Sequence, residues 1–478
     1  MRQMVSLVAI VLVAGAPLRA GDWREFAHDA ARSSQTASGP VDLGASLWTA
    51  AENPPGTPMV YEGPSGPIVY NGRVYANARH IVNGTHVNNK LIALDAATGT
   101  VLFETLIDKS VSESWSTPAV DGAHGTVLLG CGSKLFSVDA TVGGIVWSTP
   151  LLRSVVNASP AVREDAVRGR VLITDYTGFG TGGSLYCINT SAFDAAQNPW
   201  QPGDVVWREP LVTTIGNSPT LSGNTVYVST AVGNFPVFTN RMVAFDIDGA
   251  DGARLRWTWN APAAGTDVFY SGIALANGAL YAATYSFSGA GDTAKMHKID
   301  ASTGAALWTT PCNRTASTPI VAGERIYLAT GIAGFSSVPR VQAFVDLGAS
   351  AVKIWDTYSD TGGGLVVGGW THQPVLVGDT LYVGKVPLNA NSFGPYTDLF
   401  MLDVNRTPSD PLFIRGQRAG VGSTPAICDG RLYSIGVGGL TAIAALGDAC
   451  LDNGRPDGRD VACFVRVLTS PSPTAAIS

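Results

Sequence analysis

One unit of sequence recurs eight times along this chain, and a repeat of that kind leaves few folds open. Each copy begins with a Ser/Thr-Pro-like step into a short apolar strand, then a tight turn into a second strand ending in Tyr or Leu. The stretch Ser317-Thr318-Pro319-Ile320-Val321-Ala322-Gly323-Glu324-Arg325-Ile326-Tyr327-Leu328 shows it most cleanly. The second half of a copy is a strand ending in Asp, a Thr-Gly turn and a strand carrying an aromatic, as in Leu91 to Asp95, Thr98-Gly99 and Phe103. Four strands per repeat at a period of roughly 40–60 residues is the signature of a β-propeller.

The first-strand anchors fall at Pro67, Pro118, Pro160, Pro219, Ile273, Pro319, Pro374 and Pro425. The fourth-strand aromatics fall at Phe103, Trp147, Trp207, Trp257, Trp308, Trp355 and Phe413, one short of the anchors. After Pro425 the chain supplies a second strand (Arg431 to Ser434) and a third (Leu440 to Ala445), and the repeat stops. Trp48, upstream of the first anchor, supplies the missing aromatic. The spacing therefore predicts an all-β, eight-bladed propeller of four-stranded antiparallel blades, its last blade closed by an N-terminal strand. Closure removes the unpaired strand edges an open ring would carry. The aromatics are read as structural wedges against Gly and Ala of the next blade, where truncating a buried ring costs about 3–5 kcal/mol.

Composition agrees. Charged residues make up 14% of the chain and 55 of its 478 residues are glycine, as an all-β protein with many tight turns requires. The net charge of −6 with no basic run argues against nucleic acid as a partner. Residues 1–20 have the form of a secretory signal, with Arg2, an apolar run from Val5 to Ala14 and small residues before Gly21. The mature chain is expected to start near Gly21 in an exported, oxidising compartment, periplasmic, cell-surface or extracellular, with no transmembrane segment after signal removal. Cys131, Cys187, Cys312 and Cys428 are scattered among the blades and read as buried free thiols, whereas Cys450 and Cys463 are disulfide candidates.

The Ala-x-Asp-x-x-Thr-Gly-x-x-x-aromatic pattern of Ala93 to Phe103 resembles the repeat of the pyrroloquinoline-quinone (PQQ) dehydrogenase-like propellers. Weaker forms run from Ser137 to Trp147 and from Lys298 to Trp308, and Asp22-Trp23-Arg24-Glu25-Phe26 with Asp29 to Arg32 resembles that superfamily's N-terminal lead-in. The resemblance spans about residues 22–446 and implies the fold. The superfamily includes quinone-dependent dehydrogenases and also non-catalytic scaffolds, such as the propeller lipoprotein of the outer-membrane β-barrel assembly machinery, so function needs a site-level argument. The dehydrogenases imply an adjacent Cys-Cys pair, a calcium held by carboxylate and amide oxygens, and an Asp base near the axis. No Cys-Cys pair exists in this chain. Glu113 and Asp267 are the acids close to a first strand, and both read as loop carboxylates.

The segments entering the first strands instead contribute Trp115, Asn157, Asn217, Tyr270, Asn313, Trp370 and His372. Trp115, Tyr270 and Trp370 read as an aromatic-lined mouth, with the Asn side chains and His372 as hydrogen-bonding groups for a sugar, a peptide or another extended polar ligand. The other reading of the same residues is an axial plug that binds nothing. The expectation is a monomeric, exported, non-catalytic scaffold for an envelope or extracellular protein or polysaccharide. The alternative is a PQQ-dependent oxidoreductase of the alcohol or sugar dehydrogenase type.

Beyond the propeller (21–446), residues 447–470 resemble half of a dockerin-type calcium module, and 471–478 read as a disordered tail. Asp448, Asp452, Asp457 and Asp460 offer oxygens of the kind calcium prefers, and Gly454 permits a sharp turn. Cys450 stands where an oxygen ligand belongs, so a Gly/Asp turn with Asp460 as helix N-cap is the competing reading. Calcium in this loop is the one cofactor the sequence suggests, and PQQ is not expected.

Overall fold

The computed structural model describes residues 22–445, apart from 38, 41, 112–113, 115, 289–291, 334–336 and 387–394. The signal-like residues 1–20, Trp115 and Glu113, and the whole dockerin-like segment with Asp448, Asp452, Asp457, Asp460 and both of its cysteines lie outside the described residues.

Eight antiparallel sheets form the eight blades. Their inner strands are Ile68–Tyr70, Ala119–Asp121, Ala161–Arg163, Thr220–Ser222, Ala274–Ala276, Ile320–Ala322, Val375–Val377 and Ala426–Cys428. Each starts one residue after an anchor read from the sequence. In the second blade the strand Thr126–Asp139 turns on itself through Gly132 (φ +56°), pairing first with the inner and then with the outer strand. In the eighth blade the order is Ser46–Ala50, Gly439–Ala444, Arg431–Gly436, Ala426–Cys428, so the N-terminal strand is the outermost one. Trp48 pairs with Ala442 there. The ring closes as the repeat count requires.

The two halves of the sequence motif meet across blade boundaries. Asp95 closes its turn by accepting the N–H groups of Ala97 (3.0 Å) and Thr98 (2.8 Å). Asp300 does the same for Ser302 and Thr303, and those side-chain and backbone donors hold its carboxyl down to about 2. The glycine that follows is where the neighbouring blade's aromatic lands. Gly99 (φ +71°) needs a left-handed backbone, and a Cβ added to it would lie 2.5 Å from the Trp48 ring. Phe103 covers Gly143 and Trp257 covers Gly304 in the same way. The indole N–H completes the contact, donating to Ala96 O from Trp48 (3.1 Å) and to Ala301 O from Trp257 (3.1 Å).

The Ser/Thr-Pro step also has a structural cause. Proline keeps the preceding residue extended, and that residue links blade to blade. The N–H of Gly66 donates to Thr117 Oγ1 (3.1 Å), that of Thr117 to Ser159 Oγ (3.0 Å), and that of Ser159 to Ser218 Oγ (2.9 Å). Farther round, Thr318 N donates to Gln373 Oε1 (2.8 Å). These residues thus form a hydrogen-bonded chain through the first four blades and a like link from the sixth to the seventh.

Strand direction gives the ring two ends. At one end the chain enters each inner strand, and the hairpins between second and third strands lie there too. At the other end lie the first-to-second turns and the Asp-x-x-Thr-Gly turns. The described residues of 22–40 run around the axis toward that second end and between them meet the central residue of every inner strand. Trp23 exchanges two backbone hydrogen bonds with Val69 (2.8 Å each), and Arg24 O accepts from Val120 N (2.9 Å). The Glu25 carboxylate accepts from Val162 N (3.1 Å). Ala30 O and Ala31 O accept from Leu221 N (2.8 Å) and Leu275 N (2.9 Å). Gln35 Nε2 donates to Val321 O (2.8 Å), and Ser34 O accepts from Leu376 N (2.9 Å). Gly39 lies against Ile427, whose Cγ2 would be 2.8 Å from a Cβ placed there. The motif that resembles a lead-in is therefore the lining of one end of the channel.

Candidate binding face

Of the ligand-binding residues expected from the sequence, Asn157, Asn217, Tyr270, Trp370 and His372 are described and stand at the entrance end, where the structure divides them by role. Asn217 is fully buried and committed to the frame. Its Oδ1 accepts from Ile215 N (2.8 Å), and its Nδ2 donates to Ser229 Oγ and Phe269 O (3.0 Å each). Asn157 Nδ2 donates to Ile215 O (3.2 Å), tying the second-to-third blade connection to the next one. Its Oδ1 has no hydrogen-bond partner among the described residues.

His372 is also fully buried. Its Nε2 accepts the Gly384 N–H (2.9 Å), and its ring lies 5.3 Å from that of Tyr396. Burial pushes its pKa down to about 3, so the imidazole is neutral at ordinary pH. A neutral ring accepting at Nε2 carries its proton on Nδ1, which has no partner among the described residues. This His holds the seventh blade's second strand to its entry segment.

Tyr270 and Trp370 do come together, edge to face, with centroids 5.8 Å apart. They are the buried floor of a larger cluster. Tyr285 lies 5.1 Å from Tyr270 and 5.0 Å from Trp370, and Phe287 lies 4.9 Å from Tyr285. Phe179 packs on Phe287 (5.0 Å) and Phe235 (5.6 Å). Such offset and edge contacts are each worth about 0.5–1.5 kcal/mol beyond area burial. The cluster is graded: Tyr270 and Trp370 are buried, whereas Phe179 is 37% and Phe235 55% exposed. Burial raises the Tyr270 hydroxyl well above its ordinary value, and the buried Arg314 stacks 5.4 Å over Tyr285.

The four rings the sequence did not reveal come from the second-to-third strand hairpins. Phe179 lies between strands Arg170–Thr174 and Ser184–Asn189, Phe235 between Thr225–Asn234 and Val237–Asp246, and Tyr285 and Phe287 at the end of Ala279–Ser286. The only available signal was the presence of Phe in turns that elsewhere carry Gly and polar residues.

Asp267, read from the sequence as a solvated loop carboxylate, is instead buried at the start of the strand Asp267–Phe269. Asp267 accepts from Asn240 Nδ2 (3.1 Å) and lies 3.6 Å from Lys295 Nζ. Among the described residues no three His, Cys, Asp or Glu side chains converge as a metal-ligand set. Among the described residues, Asp267, already bonded to Asn240 and beside Lys295, does not by itself fit the several oxygens a calcium-held quinone needs. Cys131, Cys187, Cys312 and Cys428 are buried free thiols, raised by burial, Cys187 to about 12. At the seam between the eighth and first blades a cleft of about 470 Å³ opens, with Met59, Tyr61, Arg79, Tyr396 and Val437 in its wall. Arg79 is held there by the buried Glu62 carboxylate (3.0 Å).

Inner strands linked by Ser/Thr hydrogen bonds, with rim aromatics seated on Asp-x-x-Thr-Gly turns, define an eight-bladed PQQ-like propeller. The family described as outer membrane protein assembly factor BamB matches residues 41–258 and 239–395, and the chain belongs to it. Among solved structures, a quinohemoprotein alcohol dehydrogenase of Pseudomonas putida HK5 is 13% identical with a TM-score of 0.61, covering 87% of this chain and 75% of its own. A europium-containing methanol dehydrogenase is 10% identical at a TM-score of 0.59, covering 87% of this chain and 89% of its own. A quinohemoprotein alcohol dehydrogenase of Comamonas testosteroni is 14% identical at 0.59, covering 89% and 78%. At such identities the likeness is one of fold. A comparison with curated protein sequences found no match.

Proposed function

We propose that this protein is an exported, non-catalytic propeller that binds a partner protein of the cell envelope through the aromatic entrance face. The observation that carries the reading is the graded cluster, whose buried rings brace Phe179 and Phe235 at the surface. Partly exposed aromatics on a rigid floor are the usual anchors of protein interfaces, because little side-chain entropy remains to be lost. The exposed rings offer apolar surface to a partner, and burying it would drive association. Membership of a family named for an outer-membrane assembly factor supports an envelope setting and a protein partner. The signal-like residues 1–20 support export. Among the described residues no helix is long and apolar enough to cross a membrane.

A second reading, a quinone-dependent alcohol or sugar dehydrogenase, is favoured by the shared fold of the alcohol and methanol dehydrogenases. One experiment separates the two. The purified protein is incubated with PQQ and calcium, and dye-linked alcohol oxidation and retained quinone absorbance are measured. In parallel, it is used to capture partners from the native envelope. Capture that is lost in Phe179→Ser/Phe235→Ser, with no turnover, supports the scaffold. Retained quinone with turnover overturns it.

A further inference from the structure

The N-terminal segment is unlike the rest of the ring in how its shape is held. Eight described residues other than glycine have a left-handed backbone, and four of them, Asn71, Asn83, Asn277 and Asp429, are the Asn or Asp types that tolerate it. The other four are Ala27 (φ +57°), His28 (+82°), Arg32 (+59°) and Ser34 (+51°), all within eight positions of this one segment. Of these, Ala, Arg and Ser do not favour that conformation locally, so contacts with the ring hold it.

The means are visible. Apart from the two-residue strand Gln35–Thr36, which pairs in parallel with Leu376–Val377, the segment joins no blade as a regular strand. It is held by edge hydrogen bonds to the inner strands, by an ion pair from Arg24 to Glu164 of the third blade (3.0 Å), and by a buried Glu25–Arg32 pair within the segment. Arg32 is fully buried and donates to Glu25 Oε2 (2.9 Å), Pro160 O (3.0 Å) and Pro219 O (3.1 Å). Those carbonyls belong to the anchors of the third and fourth blades. Trp23 is inserted at one end of the run with 1% of its surface exposed, packed edge-on to His28.

From this we infer that the channel-facing edges of the eight inner strands form a peptide receptor. Residues 22–40 are its ligand in cis, separable from the folded ring. The receptor takes an extended peptide of the pattern Trp23-Arg24-Glu25 with Arg32 seven residues after the Glu. Trp23 pairs with Val69 of the first blade with its ring buried, and the Glu25–Arg32 pair caps the third and fourth anchors. Inner-strand N–H and C=O groups that no blade can pair internally are the recognition elements, as in the addition of a strand to a sheet edge.

The test uses the full-length chain with a specific protease site inserted after Asp42, folded and then cut. Native mass spectrometry follows the N-terminal fragment while a fluorescent synthetic peptide of residues 22–42 is added in excess. The inference expects the fragment to stay bound after the cut and to exchange with the synthetic peptide while the ring remains folded. A peptide carrying Glu25→Gln and Arg32→Met should compete roughly tenfold or more weakly, since it lacks the charge-assisted bonds. Because the changes lie in the added peptide, the ring's own folding is untouched. Exchange only upon global unfolding, loss of the fragment with no rebinding, or equal competition by a scrambled peptide would each overturn it.

Discussion

The two ends of the ring are made from one repeat, yet they treat their exposed groups in opposite ways. At the end lined by residues 22–40, inner-strand edges are met by backbone or side-chain partners from that segment, and Arg32 is fully buried among them. At the entrance end the hairpins vary from blade to blade, and three of them bring aromatic rings together with two left partly in solvent. The elements every blade shares make a frame, and a face with specificity arises where the blades differ. The same comparison separates residues that maintain the ring from residues available to a partner.

That separation is open to attack, beginning with the largest effect. Trp48→Ala removes the ring that sits on Gly99 and the bond to Ala96 O, and it lies on the strand that closes the eighth blade. It should destabilise the protein by about 3–5 kcal/mol, read from the shift in urea midpoint. The same substitution at Phe235 should cost under about 1 kcal/mol, since that ring is half exposed. Equal losses at both positions would erase the distinction between frame and face.

Next comes Gly304→Ala, where a left-handed backbone (φ +75°) coincides with a Trp257 ring atom 2.6 Å from the added Cβ. Backbone strain and overpacking together should cost about 2–4 kcal/mol. Gly252→Ala (φ +78°) has nothing within 4 Å and should lose only the backbone part.

Smaller still, per pH unit, is a pH effect. His372 is held down to about 3 from an ordinary value of 6.5, so the unfolded chain binds its proton more readily than the folded one. Its contribution is whole above pH 6.5 and is lost as the pH falls toward 3, at about 1.4 kcal/mol per pH unit. His297, lowered by burial to about 4, acts in the same direction over a narrower window. His372→Gln keeps an acceptor for Gly384 N–H without titrating, and should flatten the stability profile between pH 6.5 and 4. An unchanged slope would remove His372 from the frame.

At the face itself the expected loss is of capture rather than of the fold. Phe179→Ser with Phe235→Ser removes the ring contacts of two partly exposed side chains and should move the urea midpoint less than Trp48→Ala does, while abolishing partner capture. A large loss of stability would show that these rings belong to the frame.

The frame was legible in the sequence because each of its parts is local and repeated. Pro319-Ile320 and Asp95-Ala96-Ala97-Thr98-Gly99 state their turns within a few residues, and Trp48 could be assigned by counting. The face was legible only in part. Tyr270 and Trp370 precede inner strands at positions the repeat marks, so they could be picked out. Phe179, Phe235 and Phe287 meet through loops of unlike length, with more than fifty residues between neighbours in the chain, and no periodicity announces such a meeting. His372 and Asn217 looked like available polar groups, but their burial depends on glycines and strands far away in sequence. The lead-in was recognisable as a pattern, while its path through all eight blades depends on contacts up to several hundred residues apart.

The central claim is that the entrance face is the one that receives a protein. A photo-crosslinking residue placed at Phe235, in the otherwise native chain, tests it directly when irradiated in the intact envelope. The account predicts a discrete protein adduct from position 235, lost when Phe179→Ser is added, and none from a control position at Ser302 on the opposite end. No adduct at 235, or the same adduct from Ser302, would contradict it.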